Sequence, residues 1–463
     1  MWSDVLRLTW DVSGVRSQCC AASGQWVSAS PALDARYRAT AMREGDVYDS
    51  RLSMVRPLSR QGRTWKWLRN TSRAPSLLVF REEAHTASQT VARATSIMVA
   101  SAADGVGRSE RAGPRPQPLP TADAIDWSAA LRGRVVVFVG DSLGEHQANS
   151  LLVLASDHGR HSVETWSRGF RPDSGESLAQ TSWCRAICSK VSGPWSPRNL
   201  CRDAHTIVCW LSAAKAESPS MRERALGQVT AWLLATVTSL SSRDIVIGNA
   251  GHHFSPWDSN DVVLETQVKP FVNACTWDML GQPQGAASHT QPAGSAARPH
   301  YFLKEASPQF WPEGVFPGRI GFISRKHDCL PPWSYERVQQ AMQLPIDRRP
   351  PELTLEHLLG RRAFEAYNRG LCAAVAASPV GLLKLWQPSA LLGSRESSFP
   401  GDCTHGMMHG SLYPYWNQVL LHAVWRRESL VHPQGGAASS PKSDSDSNRW
   451  ETWRQLRQAL SMG

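Results

Sequence analysis

Residues 135–150 read VVVFVGDSLGEHQANS. Five apolar residues, four of them valine, run unbroken into Gly-Asp-Ser, and the chain then turns polar and helix-forming. A run without polar alternation fits a strand buried on both faces, as in a parallel sheet covered by helices. This one stretch therefore predicts both an architecture and a serine at a strand end.

The following segments agree with that architecture. Ala148, Leu151, Leu152 and Ala155 fall on one helical face. Between 225 and 240, Ala225, Leu226, Val229, Trp232, Leu233, Val237 and Leu240 form an apolar stripe at helical spacing. DIVIGN (244–249), RIGFIS (319–324) and LLKLW (382–386) read as strands, and LYPYWNQVLLHAVW (412–425) as a closing helix. Strands alternating with helices imply an α/β fold with a mostly parallel sheet, whose sites gather at the carboxyl ends of the strands.

Gly, Pro and small polar residues mark what lies outside this unit. Residues 1–100 read as an N-terminal lobe, 101–130 as a linker and 131–432 as the main domain, with a surface insertion near 279–300. Residues 433–463 form a tail whose stretch 433–448 is of low complexity and expected to be disordered.

The net charge of +10 comes from basic residues scattered along the chain, with no run of like charge. That pattern predicts a solvated basic surface and no nucleic-acid partner; an anionic polysaccharide or a membrane surface stays open. No 18-residue apolar window and no leader pattern is visible. Cys184, Cys188, Cys201 and Cys209 match no common zinc spacing, which leaves disulfides and buried thiols as alternatives. The sequon at Asn70 and the 20 tryptophans lean mildly towards a secretory route and a carbohydrate ligand.

Ser142 has two readings. A strand-to-helix turn exposes a hydroxyl and aims the first N–H groups of the helix at any oxyanion formed there. The same Gly-Asp-Ser is also an ordinary helix cap, with Asp141 or Ser142 as the capping group. Residues 401–417, GDCTHGMMHGSLYPYWN, supply what a serine nucleophile needs. His405 is the candidate general base and Asp402, three residues earlier, the carboxylate that orients it. At IVIGNAGHHF (245–254), Asn249 is a candidate oxyanion donor beside the Ser142 N–H, with Gly251 and His252 nearby. His405 and His409 stand at i, i+4, but Gly406 occupies the place where a zinc protease carries its glutamate base, so no metal is expected.

Together the three stretches resemble the plant trichome birefringence-like and related PC-esterase acyl-esterases of the GDSL/SGNH superfamily. The family's F-V-G-D-S-L-S-R-N-Q block is FVGDSLGEHQ here, its N-T-G-H-W-W block is NAGHHF, and its D-C-S-H-W-C block is DCTHGM. CAASGQWVSASP (20–31) and RTWKW (63–67) are similar to its N-terminal domain, and LLKLWQPSALLGSR (382–395) to the stretch before its last block. The resemblance implies an SGNH-hydrolase-like three-layer fold and a Ser142–His405–Asp402 triad. Asn249, Gly251, His252, Asp141 and Gln147 would line the oxyanion and substrate side. No cofactor is implied. The expected activity is O-acyl transfer, usually of acetyl, from an acyl donor to a polysaccharide or oligosaccharide acceptor, in the Golgi lumen or secretory pathway. A hydrolytic esterase and an inactive glycan-binding protein are the alternatives. Glu145 replaces the family's Arg, Ala250 its Thr and Met407 its second Cys.

Overall fold

The computed structural model describes residues 24–28, 31, 78–82, 124–156, 162–167, 182–188, 204–213, 226–250, 263–280, 298–307, 348, 364–376, 378–392, 404–406 and 411–431. It also describes 451–458 apart from 453 and 457. Strands β1 (Gly24–Ser28) and β2 (Leu78–Glu82) pair antiparallel within the predicted N-terminal lobe. A short helix α1 (Trp127–Leu131), capped by the Asp126 carboxylate on the Ala129 N–H, buries Trp127 and Leu131. The last residues assigned to a linker thus belong to the folded unit, because two apolar side chains one turn apart have a core to enter.

The main sheet has seven strands. In chain order they are β3 (Arg134–Gly140), β4 (Ser162–Ser167), β5 (Trp183–Cys188), β6 (Ala204–Ser212), β7 (Ile245–Gly248), β8 (His300–Lys304) and β9 (Gly381–Leu383). Their spatial order is β4-β5-β6-β3-β7-β8-β9. The β6, β3, β7, β8 and β9 ladders are parallel, while β4 and β5 add an antiparallel edge. Numbered among themselves, the parallel strands run 2-1-3-4-5, the doubly wound order that reverses direction beside its first strand. That reversal lies between β3 and β7, so a site is expected where those two strands end.

Helices α2 (Ser142–Ala155), α3 (Leu226–Thr236), α4 (Lys269–Leu280), α5 (Phe364–Ala376), α6 (Trp386–Leu392) and α7 (Leu412–Val431) cover both faces of the sheet. A π-helical turn, Leu264–Val268, leads into α4. β3 explains its own valines. Val135, Val137 and Val139 face the core shared with α3, α4 and α5, while Val136 and Phe138 face α1, α2 and α7. Each such side chain removed from water contributes about 1.5–3 kcal/mol before chain entropy is counted.

Several expectations change in detail. The stripe over 225–240 forms a helix only to Thr236, where the Val237 N–H closes the last turn on Leu233. Trp232, expected in the buried stripe, is 37 % exposed. The buried face turns towards Thr230 instead, whose hydroxyl is satisfied by the Leu226 carbonyl and so enters the core at little cost. LLKLW keeps two residues of strand, Leu382 and Leu383, before Trp386 starts α6. The insertion near 279–300 is bounded by the end of α4 and the first residue of β8. RIGFIS and the stretch 433–448 lie outside the described residues. Beyond that stretch, Thr452 bonds Ser239 and Leu456 enters the core, so the tail contributes a packed end.

Cys184 and Cys209 face each other across β5 and β6 and form a disulfide with Cα atoms 4.0 Å apart. Cys372 is also disulfide-bonded, whereas Cys275 is a buried thiol. Among the described residues no helix is long and apolar enough to cross a membrane.

Candidate active site

β3 ends at Gly140 and α2 begins at Ser142, so one residue, Asp141, makes the turn. The cap and the nucleophile readings of Gly-Asp-Ser fall on different residues. Asp141 is the cap: its carboxylate accepts from the Leu143 N–H at 3.0 Å and its carbonyl from the Gly144 and Glu145 N–H groups. Ser142 is thereby released from capping duty and is half-buried at the first position of the helix.

Across 263 residues of sequence, the Ser142 hydroxyl meets the His405 Nε2 at 2.7 Å. His405 sits just ahead of α7, which packs along α2. Docking of α7 therefore carries the imidazole to the strand end. At 2.7 Å the hydroxyl proton lies on the path to the ring nitrogen, the geometry that general-base activation of a serine requires. Asp402, Gly251 and His252 lie outside the described residues.

Asn249 follows β7 at the switch point, with its backbone N–H on the Val139 carbonyl. Its side-chain amide donates to the Asp141 carboxylate at 2.5 Å. One of its two amide hydrogens is thus committed to the cap, and the other is the one an oxyanion would use. Two glycines make room for this side chain. Gly140 has φ +155°, and a Cβ there would collide with both the Asn249 side-chain oxygen and its backbone carbonyl. A Cβ on Gly144 would meet the same side-chain oxygen.

Gln147, expected on the substrate side, has no exposure at all, and neither end of its amide has a hydrogen-bond partner. It lies five residues beyond Ser142, which rotates it away from the serine's face of α2. The α7 residue Asn417 bonds its backbone carbonyl instead. Gln147 thus lies buried at the α2–α7 seam.

Three further groups shape the site. His146 sits one turn after Ser142, its ring centroid 5.0 Å from that of His405. The buried Tyr413 hydroxyl lies 3.3 Å from His146 Nδ1 and accepts the Gly406 N–H at 3.3 Å, which ties the His405 loop to α7. The sequence carries one signal for His146: its i, i+4 spacing from Ser142 puts both on one helical face. Glu145 accepts the indole N–H of the buried Trp183 at 3.1 Å, which ties β5 to α2. Its charge is spent partly on structure.

Behind the turn lies Lys304, the last residue of β8 and fully buried. Burial lowers its ammonium from the ordinary 10.5 to about 7, with the Asp141 charge pulling the other way. Next to it, burial raises the Glu305 carboxyl, against the N–H groups of Leu385 and Trp386 that it accepts.

No family model matches the chain, and neither does any curated protein.

Proposed function

We propose that this chain is a serine-dependent O-acyltransferase, moving an acyl group, taken here as acetyl, from an ester donor to a polysaccharide hydroxyl. The single observation that carries this reading is the 2.7 Å approach of the Ser142 hydroxyl to His405 Nε2 at the switch point of the sheet. The resemblance of its three sequence blocks to the SGNH acyl-esterases adds the acyl group and the glycan.

The steps balance within these residues. Ser142 Oγ attacks the donor carbonyl while its proton passes to His405 Nε2, and the carbonyl electrons become an oxyanion at the α2 N-terminus. The Ser142 N–H and the second Asn249 amide hydrogen are the donors assigned to that oxyanion. Collapse expels the donor alcohol, which takes the proton from His405 and leaves acyl-Ser142. An acceptor hydroxyl then gives its proton to His405 as its oxygen attacks the acyl carbon, and Ser142 recovers a proton as it leaves. Asp402, by resemblance, holds the ring in the required tautomer.

A second reading is hydrolysis by the same residues. Ser142 and His405 are each partly exposed, which supports access by water. The cross-strand disulfide supports an oxidising, secretory compartment for either activity.

The test is intact-mass spectrometry of wild type and Ser142→Ala after incubation with p-nitrophenyl acetate. An acetyl adduct on wild type and none on the variant is expected. Absence of both adduct and ester turnover in wild type would sink the reading and leave a glycan-binding role to be tested. Adding oligosaccharide then separates transfer, which yields acetylated sugar, from hydrolysis, which yields free acetate whatever the acceptor.

A further inference from the structure

Lys304 has no role in the chemistry just described, and its surroundings make it an expensive residue to keep. It is 1 % exposed, at the carboxyl end of β8. Its Nζ has no hydrogen-bond partner and stands 4.3 Å from the centre of the Trp416 ring. A ring face attracts a cation but satisfies none of its N–H groups.

The charged groups around it narrow what it does. The ladders set Leu303 opposite Gly248 and Gly248 opposite Val139, so Lys304 ends β8 level with Asn249, whose amide holds the Asp141 carboxylate of the β3–α2 turn. That carboxylate works against the fall in the Lys304 pKa. Glu305, the next residue, turns its carboxylate onto the start of α6 and interacts with Lys384. From α7 comes the Trp416 ring, whose N–H is occupied by Ser389 of α6. Asp141 is itself 3 % exposed, one residue from the nucleophile, and its carboxylate is bound by the Leu143 and Asn249 donors. A buried carboxylate there stabilises the helix start but opposes negative charge building on a substrate at the same helix end. Buried charges persist where an opposite charge offsets them.

We infer that Lys304 is a positioning residue for the proposed reaction: its ammonium, buried behind the turn, offsets the Asp141 carboxylate so that the α2 N-terminus stays receptive to an oxyanion at Ser142. The inference rests on the acyl-serine reading for its catalytic half, and on the Lys304–Asp141 coupling for its electrostatic half. Each half has its own measurement.

The first needs no turnover. Lysines labelled with 13C at Cε are titrated by NMR in wild type and Asp141→Asn. The Lys304 signal titrates near neutrality in wild type and at least about tenfold more acidic in the variant, because the attraction that helps hold its proton is gone. An unmoved titration overturns the coupling, and with it the inference.

The second is the pre-steady-state acylation rate with p-nitrophenyl acetate against pH, for wild type and Lys304→Met. Wild type slows on the alkaline side as Lys304 loses its proton. Lys304→Met lacks that limb and acylates roughly 10–100-fold more slowly, with KM changed less than about twofold, since the loss falls on the transition state. A folded Lys304→Met with wild-type rate and limb overturns the inference and leaves the Ser142 reading standing. No acetyl-Ser142 in wild type, with the NMR coupling present, overturns the reading and the catalytic half together. Should Lys304→Met not fold, the NMR titration and the wild-type alkaline limb decide, and absence of either refutes the inference.

Discussion

Gly140→Ala is the sharpest probe of how the strand end is built. Alanine for glycine ordinarily stabilises by about 0.4–1 kcal/mol through the unfolded chain. Here the new Cβ would lie 2.0 Å from the Asn249 side-chain oxygen and 2.5 Å from its backbone carbonyl. The side chain can swing away only by leaving Asp141, a charge-assisted bond of about 1.5–3 kcal/mol. The backbone contact cannot be relieved by a rotamer, and alanine at φ +155° adds strain of about 1–3 kcal/mol. The net expectation is a loss of about 2–5 kcal/mol, which for a domain of this size lowers Tm by roughly 5–15 °C. Thermal unfolding followed by circular dichroism reads that directly, and the acetyl-adduct rate should fall by more than the lost folded fraction explains. A variant with unchanged Tm and unchanged acylation would refute the claim that Asn249, Asp141 and Gly140 form one fitted unit.

Other outcomes follow from the same contacts. Replacing Cys184 and Cys209 by alanine opens a cross-link of sequence separation 25, worth about 3.5 kcal/mol of unfolded-chain entropy, measurable by urea titration against the oxidised protein. Tyr413→Phe leaves the Gly406 N–H without its acceptor, costing about 1–3 kcal/mol, and slows acylation while KM stays within about twofold. Glu145→Arg strands the buried Trp183 N–H and lowers stability by about 1–3 kcal/mol in a thermal melt. Lys304 is a lysine whose folded-state pKa, about 7, lies below its ordinary 10.5. The unfolded chain holds a proton the folded one releases, so wild-type stability climbs as pH rises through that window and is lowest below it. Denaturant titrations of Lys304→Met across the same range should lack that climb.

What the sequence shows and what it hides differ for physical reasons. The β3 valines and the Ile245–Gly248 run are legible because burial on both faces leaves no choice of residue. β6 is an equally apolar run, but its cysteine also reads as part of a cysteine cluster, and pairing with β5 is settled by non-local contacts. β8 ends in a lysine beside a small-residue insertion, so no alternation announces it. Ser142 and His405 are legible as residue types in suitable blocks, while their separation of 2.7 Å belongs to the packing of α7 on α2. The turning of Asn249 onto Asp141 depends on room left by two glycines, which no spacing rule contains.

The sequence separation of 263 between Ser142 and His405 also sets an order in time. At ordinary synthesis rates Ser142 is made roughly 15–50 s before His405, and α7 follows later still. Strands β3, β6 and β7 are therefore all made before His405 exists. Any product that stops short of His405 lacks the group proposed to take the serine proton, and one that stops short of α7 lacks the helix beside which that group sits. On the proposed reading, α7 thus acts as proof of completion: the serine meets its partner only once the segment from β3 to α7 has been made and packed.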